Sequence, residues 1–227
     1  RFMEPTISNR SVKKTLLHKG GFANAKIYRL ETPDGEVFIA KDFSGCSFLI
    51  RNTIGRFLIR REVHYLLRLE ETGVVPGKAR RIGPFCMRET FCAGQTLREL
   101  PKPNPKVPGS ENRIPVAYFH ALFNALQNIH QSGIVHLDLH NLRNIIVSAN
   151  GTPVLLDWQS AIHTRLLLPP IRRLLENIDN MGVLKAFDKF HPEAMNDELS
   201  KKLEHAKKIR RRFWLPRIHL TRKDAKK

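Results

Sequence analysis

Asn150-Gly151 stands between two short apolar runs, residues 144–147 and 153–156. That dipeptide supplies the positive-φ positions of a tight hairpin turn, and the turn fixes how the two runs pair. Residues 136–143 then form the loop entering the hairpin, and Asp157 lies just beyond its exit. Asp138 and Asp157 are thereby brought to one end of the hairpin. A fold that gathers two carboxylates there implies a built site at that end.

The rest of the chain reads as an α+β arrangement. Residues 26–31 and 36–43 have the composition of strands and are joined through Thr32-Pro33-Asp34-Gly35, a second hairpin signal. A helical period follows through Phe57, Leu58, Val63, Leu66, Leu67 and Leu69, closed by Gly73 and Pro76. Residues 82–91 suit another strand, and the proline-rich residues 101–109 an exposed loop. Phe119, Leu122, Phe123, Leu126 and Ile129 recur with the spacing of one buried helix face that ends near Gly133. Beyond the hairpin, helices are expected over residues 171–187 and 197–213, with Pro169-Pro170 and His191-Pro192 as breaks. The expected layout is a small N-terminal sheet lobe, residues 1–91, and a mainly helical lobe, residues 92–227.

Phosphoryl transfer needs a cation on the phosphates, a carboxylate to hold that cation, metal ligands and a carboxylate to orient the attacking hydroxyl. Lys41 closes the strand Ile39-Ala40-Lys41, Glu62 lies in the next helix, Asp138 and Asn144 flank the loop, and Asp157 follows an apolar strand. Taken singly, each has an ordinary explanation: a surface ion pair, a turn asparagine, a helix cap. Their order along the chain is what singles them out.

The segments Ile134-Val135-His136-Leu137-Asp138-Leu139-His140, Asn144-Ile145-Ile146 and Leu156-Asp157-Trp158 resemble the catalytic and metal-binding loops of the protein-kinase-like superfamily. The resemblance runs from about Lys19 to Ala161. It implies a reduced two-lobed kinase fold using ATP and Mg2+. Lys41 would contact the phosphates and pair with Glu62, Asp138 would orient the acceptor hydroxyl, and Asn144 and Asp157 would bind magnesium. Gly20, Gly21, Ala25, Glu89 and Phe91 would join Lys41 around the nucleotide. Carboxylate and amide oxygens are also what a hard cation prefers on chemical grounds.

The departures are informative. Ala25 stands where the last glycine of a nucleotide loop is expected, Gln159 replaces the usual final glycine after Asp157-Trp158, and no Ala-Pro-Glu follows. No conventional activation segment is expected. The loop from Asp138 to Asn144 is one residue longer than in most relatives, which leaves open whether His140, Asn141 or Arg143 faces the cleft. His140, counted here among the catalytic candidates, stands where protein kinases usually carry lysine, as in small-molecule and sugar kinases; a loop imidazole bonded to backbone is the plainer alternative.

The chain resembles bacterial lipopolysaccharide kinases that phosphorylate heptose or 3-deoxy-D-manno-octulosonic acid, which would make the acceptor an anionic glycolipid. The alternatives are a RIO-like Ser/Thr protein kinase and a catalytically silent scaffold that binds nucleic acid or membrane.

Charge is consistent with an anionic partner: Lys and Arg number 39 against 21 Asp and Glu, for a net charge of +18. Residues 201–227 hold twelve Lys and Arg together with Phe213, Trp214, Leu215 and Ile218, a mixture that suits either a helix at a lipid interface or a solvated basic helix packed on the core. Cys46, Cys86 and Cys92 are odd in number and lack CxxC spacing, so a reducing compartment is expected, with neither a disulfide framework nor a zinc site. No apolar run reaches the roughly 18 residues of a spanning helix and no signal peptide is visible, which points to the cytoplasm, with peripheral contact to the inner membrane.

Overall fold

The computed structural model describes residues 12–103 and 114–212. The first lobe is a five-stranded antiparallel sheet in the order β1-β2-β3-β5-β4: β1 Lys13–His18, β2 Lys26–Glu31, β3 Val37–Asp42, β4 Arg80–Arg81 and β5 Cys86–Thr90. The β2–β3 hairpin forms as expected. Glu31 pairs with Val37 and Ile27 with Lys41, and Gly35 takes φ +83° while donating its N–H to the Thr32 carbonyl at 3.0 Å. β1 was not expected, because all six of its residues are exposed and none of the usual in–out alternation marks it. The anticipated strand over residues 82–91 is cut short. Ile82-Gly83-Pro84-Phe85 turns instead, with Ile82 donating to the Cys86 carbonyl, and the ladder begins at Cys86.

One long helix crosses behind this sheet. α1, Phe48–Ile50, runs through a wide turn, Arg51–Gly55, into α2, Arg56–Leu69. The wide turn lies where Gly55 packs on Phe43, so closely that a Cβ there would sit 2.9 Å from the Phe43 side chain. The buried face of α2 is Ile59, Glu62, Val63, Tyr65, Leu66 and Leu69. Phe57 and Leu67, placed on that face by the sequence period, are exposed instead; Phe57 lies under the Arg61 guanidinium, 5.4 Å from ring centroid to Cζ.

The second lobe is mostly helical. Residues 104–113 of the proline-rich loop lie outside the described residues. β6, Gly94–Thr96, leads to α3, Val116–Gln131, which buries Tyr118, Phe119, Leu122, Ala125, Leu126 and Ile129 along one face. Gly133, at φ +79°, ends it in the left-handed conformation that commonly terminates helices. β7, Ile134–Val135, then precedes the loop that carries Asp138. The hairpin of β8, Ile145–Ser148, and β9, Pro153–Leu155, pairs Ile145 with Leu155 and Ile146 with Val154, and β6 joins its other edge. β10, Ile162–His163, returns to pair with β7.

Pro169 and Pro170 occupy the first positions of α4, Pro169–Phe190, where their missing N–H groups cost nothing. α4 continues past the expected end at Phe187, and His191-Pro192 closes it. α5, Asp197–Arg212, packs on it through Leu203, Met181 and Leu184. Phe213 and Trp214, the candidate interfacial aromatics, lie outside the described residues.

Candidate active site

β3 carries Lys41 one residue before its end, and its register against β5 places Ile39 opposite Glu89 and Lys41 opposite Met87. Lys41 and Glu89 therefore share one face of the sheet. α2 crosses that face and sets Glu62, fully buried, against them. Lys41 Nζ is ion-paired with Glu62 Oε1 and lies 3.8 Å from Glu89 Oε1. Glu62 Oε2 accepts from Gln159 Nε2 at 2.9 Å, so both oxygens of this carboxylate are held.

The electrostatics follow from that crowding. Burial works against a charged Lys41, but the carboxylates of Glu62, Glu89 and Asp157 outweigh it and push the ammonium pKa up. Glu89 moves the other way. Burial raises its carboxyl to about 7, with Lys41 opposing the shift. Its Oε2 is buried without a hydrogen-bond partner.

The loop that carries Asp138 is tied to three neighbours. Asp179 of α4, itself fully buried, accepts from the His136 N–H at 2.6 Å and the Leu137 N–H at 2.7 Å, and lies 3.2 Å from His130 Nε2. These bonds hold Leu137 at φ +67°, a conformation a leucine does not adopt by preference. Asp138 N–H donates to His136 Nδ1 at 3.2 Å, and His136 Nε2 lies 2.9 Å from the Leu156 carbonyl. This network places the His136 proton on Nε2. The His136 ring packs edge-on against Trp158, with centroids 4.6 Å apart, and Trp158 Nε1 donates to the Leu155 carbonyl at 3.0 Å.

Gly182 closes the third contact. A Cβ at this position of α4 would lie 2.7 Å from the Leu139 carbonyl carbon and 2.8 Å from His140 N. Only glycine lets the helix pass this close to the loop.

The Asp138 carboxylate is thus aimed and partly desolvated. Asn144 Nδ2 donates to its Oδ2 at 2.9 Å and to its carbonyl at 3.0 Å, while His140 Nδ1 lies 3.4 Å from its Oδ1. Burial is the main cause of an upward shift in its pKa; His140 and the Asn144 hydrogen bond pull it back, and Asp157 adds to it. The extra residue of this loop is absorbed by a 3-10 turn, Leu142–Asn144, capped by Asn141, which accepts from the Arg143 N–H. His140 and Asn141 are half-buried against Asp138 and Asn144, whereas Arg143 is exposed.

Asn144 and Asp157 sit at matching ends of β8 and β9, tied by the Leu156 N–H to Asn144 carbonyl bond at 2.8 Å. Asp157 has φ +63°, and its Oδ1 is buried without a protein partner. The Asn144 amide nitrogen is committed to Asp138, and its Oδ1, which takes a long 3.5 Å hydrogen bond from Asn141 Nδ2, keeps a second lone pair to offer. An orphaned carboxylate oxygen beside an amide oxygen suits a hard divalent cation such as Mg2+. Among the described residues, no three or more His, Cys, Asp or Glu group in a metal-binding cluster.

The expected nucleotide loop is a tight turn between β1 and β2. Gly20 takes φ +71°, where a Cβ would collide with the Asn24 carbonyl at 2.7 Å, and Gly21 bridges to Asn24. Ala25 is buried in the core cluster. Phe91, the residue after β5, donates its N–H to the Val37 carbonyl at 2.9 Å, with the Arg29 guanidinium 5.4 Å from its ring. Sequence reasoning missed Asp179, Gly182 and the partner role of Gln159. A buried-type helix position occupied by aspartate and a glycine three residues later in the same helix were the available signals.

Comparison with solved structures gives the architecture a name. Rio2 kinase from Chaetomium thermophilum aligns with a TM-score of 0.58 at 14% identity, over 89% of this chain and 74% of that one. The chain has the protein-kinase-like fold. A second structure of the same kinase, its ADP/Mg2+-phosphoaspartate complex, aligns with the same score and identity over 88% of this chain and 72% of that one. No protein-family model matches the sequence, and no curated protein does.

Proposed function

We propose that this protein is an ATP- and Mg2+-dependent phosphotransferase acting on a hydroxyl. The observation that carries the reading is the convergence of the Lys41–Glu62 pair with Asp157, whose charge acts on Lys41 across the cleft and also on Asp138. Lys41 would take the nucleotide phosphates. Glu62, fixed by Gln159, would keep the ammonium in place. Asp138 would accept the acceptor's proton as the hydroxyl oxygen bonds to the γ-phosphorus and the bond to ADP breaks. Asn144 and Asp157 would hold Mg2+, which supplies charge neutralisation at the phosphates.

Two readings of the acceptor stand. His140 beside Asp138, the basic surface and the resemblance to lipopolysaccharide kinases support a core sugar of an anionic glycolipid at the inner membrane face. The likeness to Rio2 kinase supports a RIO-like protein kinase about as well.

The test is Mg2+-dependent transfer of labelled γ-phosphate by the purified chain, offered core glycolipid and a generic protein in parallel, with Asp138→Ala as control. Label on glycolipid that vanishes in the variant supports the first reading, and label on protein alone supports the second. No turnover and no Mg2+-dependent ATP binding would replace both with a silent scaffold.

A further inference from the structure

The segment linking the Asp157 loop to α4 reads Thr164-Arg165-Leu166-Leu167-Leu168-Pro169-Pro170-Ile171-Arg172-Arg173. Leu166 is 100% exposed, Leu168 69% and Ile171 45%. Arg165 and Arg173 are also exposed, and Arg172 is half-exposed beside Glu176. No Asp or Glu occurs from residue 158 to 175. Three exposed aliphatic side chains within six residues, flanked by arginines, form an uncovered ridge of the kind that marks a contact site.

The ridge is held firmly at both ends. Upstream, β10 pairs with β7, the strand that leads into Asp138, and the Thr164 N–H donates to the Gly133 carbonyl at 2.8 Å. Downstream, the ridge enters α4, whose Asp179 grips the His136 and Leu137 amides. Whatever the ridge sits on is therefore set at a fixed position relative to the catalytic loop.

We infer that residues 165–173 are a docking edge for an anionic lipid bilayer, with Leu166, Leu168 and Ile171 entering the interface and Arg165, Arg172 and Arg173 meeting lipid phosphates. Three features favour lipid over a protein partner. The ridge is purely aliphatic and lacks the Trp or Tyr anchors that dominate protein interfaces. Its leucines project without a groove of their own, and a fluid acyl boundary needs no shape complement. Residues 158–175 carry only basic charge, and although Arg172 pairs with Glu176 at 3.4 Å, Arg165 and Arg173 leave the edge net positive, as an acidic headgroup layer requires. The run from residue 201 to 227 is basic too, so charge complementarity does not single it out as the ridge's cover. This inference deepens the glycolipid reading by naming the surface that would present the site to its acceptor, but it is tested without turnover, so the two can fail separately.

The test is co-sedimentation of the full chain, without ATP, with vesicles rich in phosphatidylglycerol and with vesicles of phosphatidylcholine alone. Binding is expected to the anionic vesicles and to persist in Asp138→Ala. The double variant Leu166→Ser/Leu168→Ser should weaken it roughly tenfold or more. Each of Arg165→Gln, Arg172→Gln and Arg173→Gln should weaken it roughly fivefold. Leu166→Trp supplies a direct readout, a blue-shifted emission quenched by brominated lipid. Anionic binding unaffected by the double serine variant would place the contact elsewhere, in the basic C-terminal run, and overturn the inference. So would absence of vesicle binding, or concentration-dependent self-association that the same serine substitutions abolish.

Discussion

Gly182→Ala tests whether the Asp138 loop, proposed here as catalytic, is positioned by α4. The added methyl would lie 2.7 Å from the Leu139 carbonyl carbon, 2.8 Å from His140 N and 2.9 Å from the Leu139 oxygen. All three are backbone atoms and cannot rotate away. Ordinary contact begins near 3.4 Å, so the helix and the loop must part by about 0.7 Å. Overpacking of this kind costs ~1–3 kcal/mol, against a gain of ~1 kcal/mol for alanine over glycine in a helix. The expected net is a loss of ~1 kcal/mol, or about 2–4 °C in Tm for a chain of this size. Activity should suffer more than stability. Asp138 follows Leu137 directly in the displaced loop, and a misplacement approaching 1 Å costs up to ~100-fold in rate, so kcat should fall by at least ~10-fold. Thermal melts and phosphoryl-transfer kinetics measure both, with Asn177→Ala at an exposed position of the same helix as the propensity control. A Gly182→Ala protein with raised Tm and unchanged kcat would refute the positioning argument.

Glu89 gives a pH dependence of known sign. Its folded carboxyl titrates near 7 against an ordinary value of 4.5, so between those values the folded chain keeps a proton that the unfolded chain has lost. Stability from this group is therefore lost as pH rises through that window. Glu89→Gln should flatten the profile and stabilise the protein above pH 7 by on the order of 2 kcal/mol, measured by denaturant melts across pH; a variant with the parent's slope would contradict the assignment. Gln159→Ala leaves the buried Glu62 Oε2 without its donor, which should cost ~1–3 kcal/mol and raise the KM for MgATP. A Tm and KM equal to the parent's would mean that Gln159 does not support the Lys41–Glu62 pair.

The parts of the fold written in local pattern were legible in the sequence. The two hairpins announced themselves through Asp34-Gly35 and Asn150-Gly151, and the buried face of α3 through its period. β1 was not legible, because a strand exposed along its whole length has no alternation to read. Phe57 and Leu67 misled because an aromatic ring can be covered by an arginine on its own helix and an isolated exposed leucine is cheap. The site divides the same way. Lys41, Glu62, Asp138, Asn144 and Asp157 stood out by type and order; the structure pairs Lys41 with Glu62 and Asn144 with Asp138 and sets Asp157 where its charge acts on both Lys41 and Asp138. Asp179 and Gly182 act on backbone more than forty residues away, and such contacts leave no trace in a local window.

The ties between α2 and the segment after Asp157 have a consequence for Lys41. Glu62 is bound by Gln159, Arg61 Nε donates to the Ala161 carbonyl at 2.9 Å, and His64 Nε2 lies 3.1 Å from His163 Nε2. These three links fall within a single turn of one helix, residues 61–64, so α2 cannot swing outward without breaking them together. The Lys41–Glu62 pair is thereby assembled by contacts within the fold itself. On the phosphotransferase reading, the ammonium that would meet the phosphates is held in place before any nucleotide arrives.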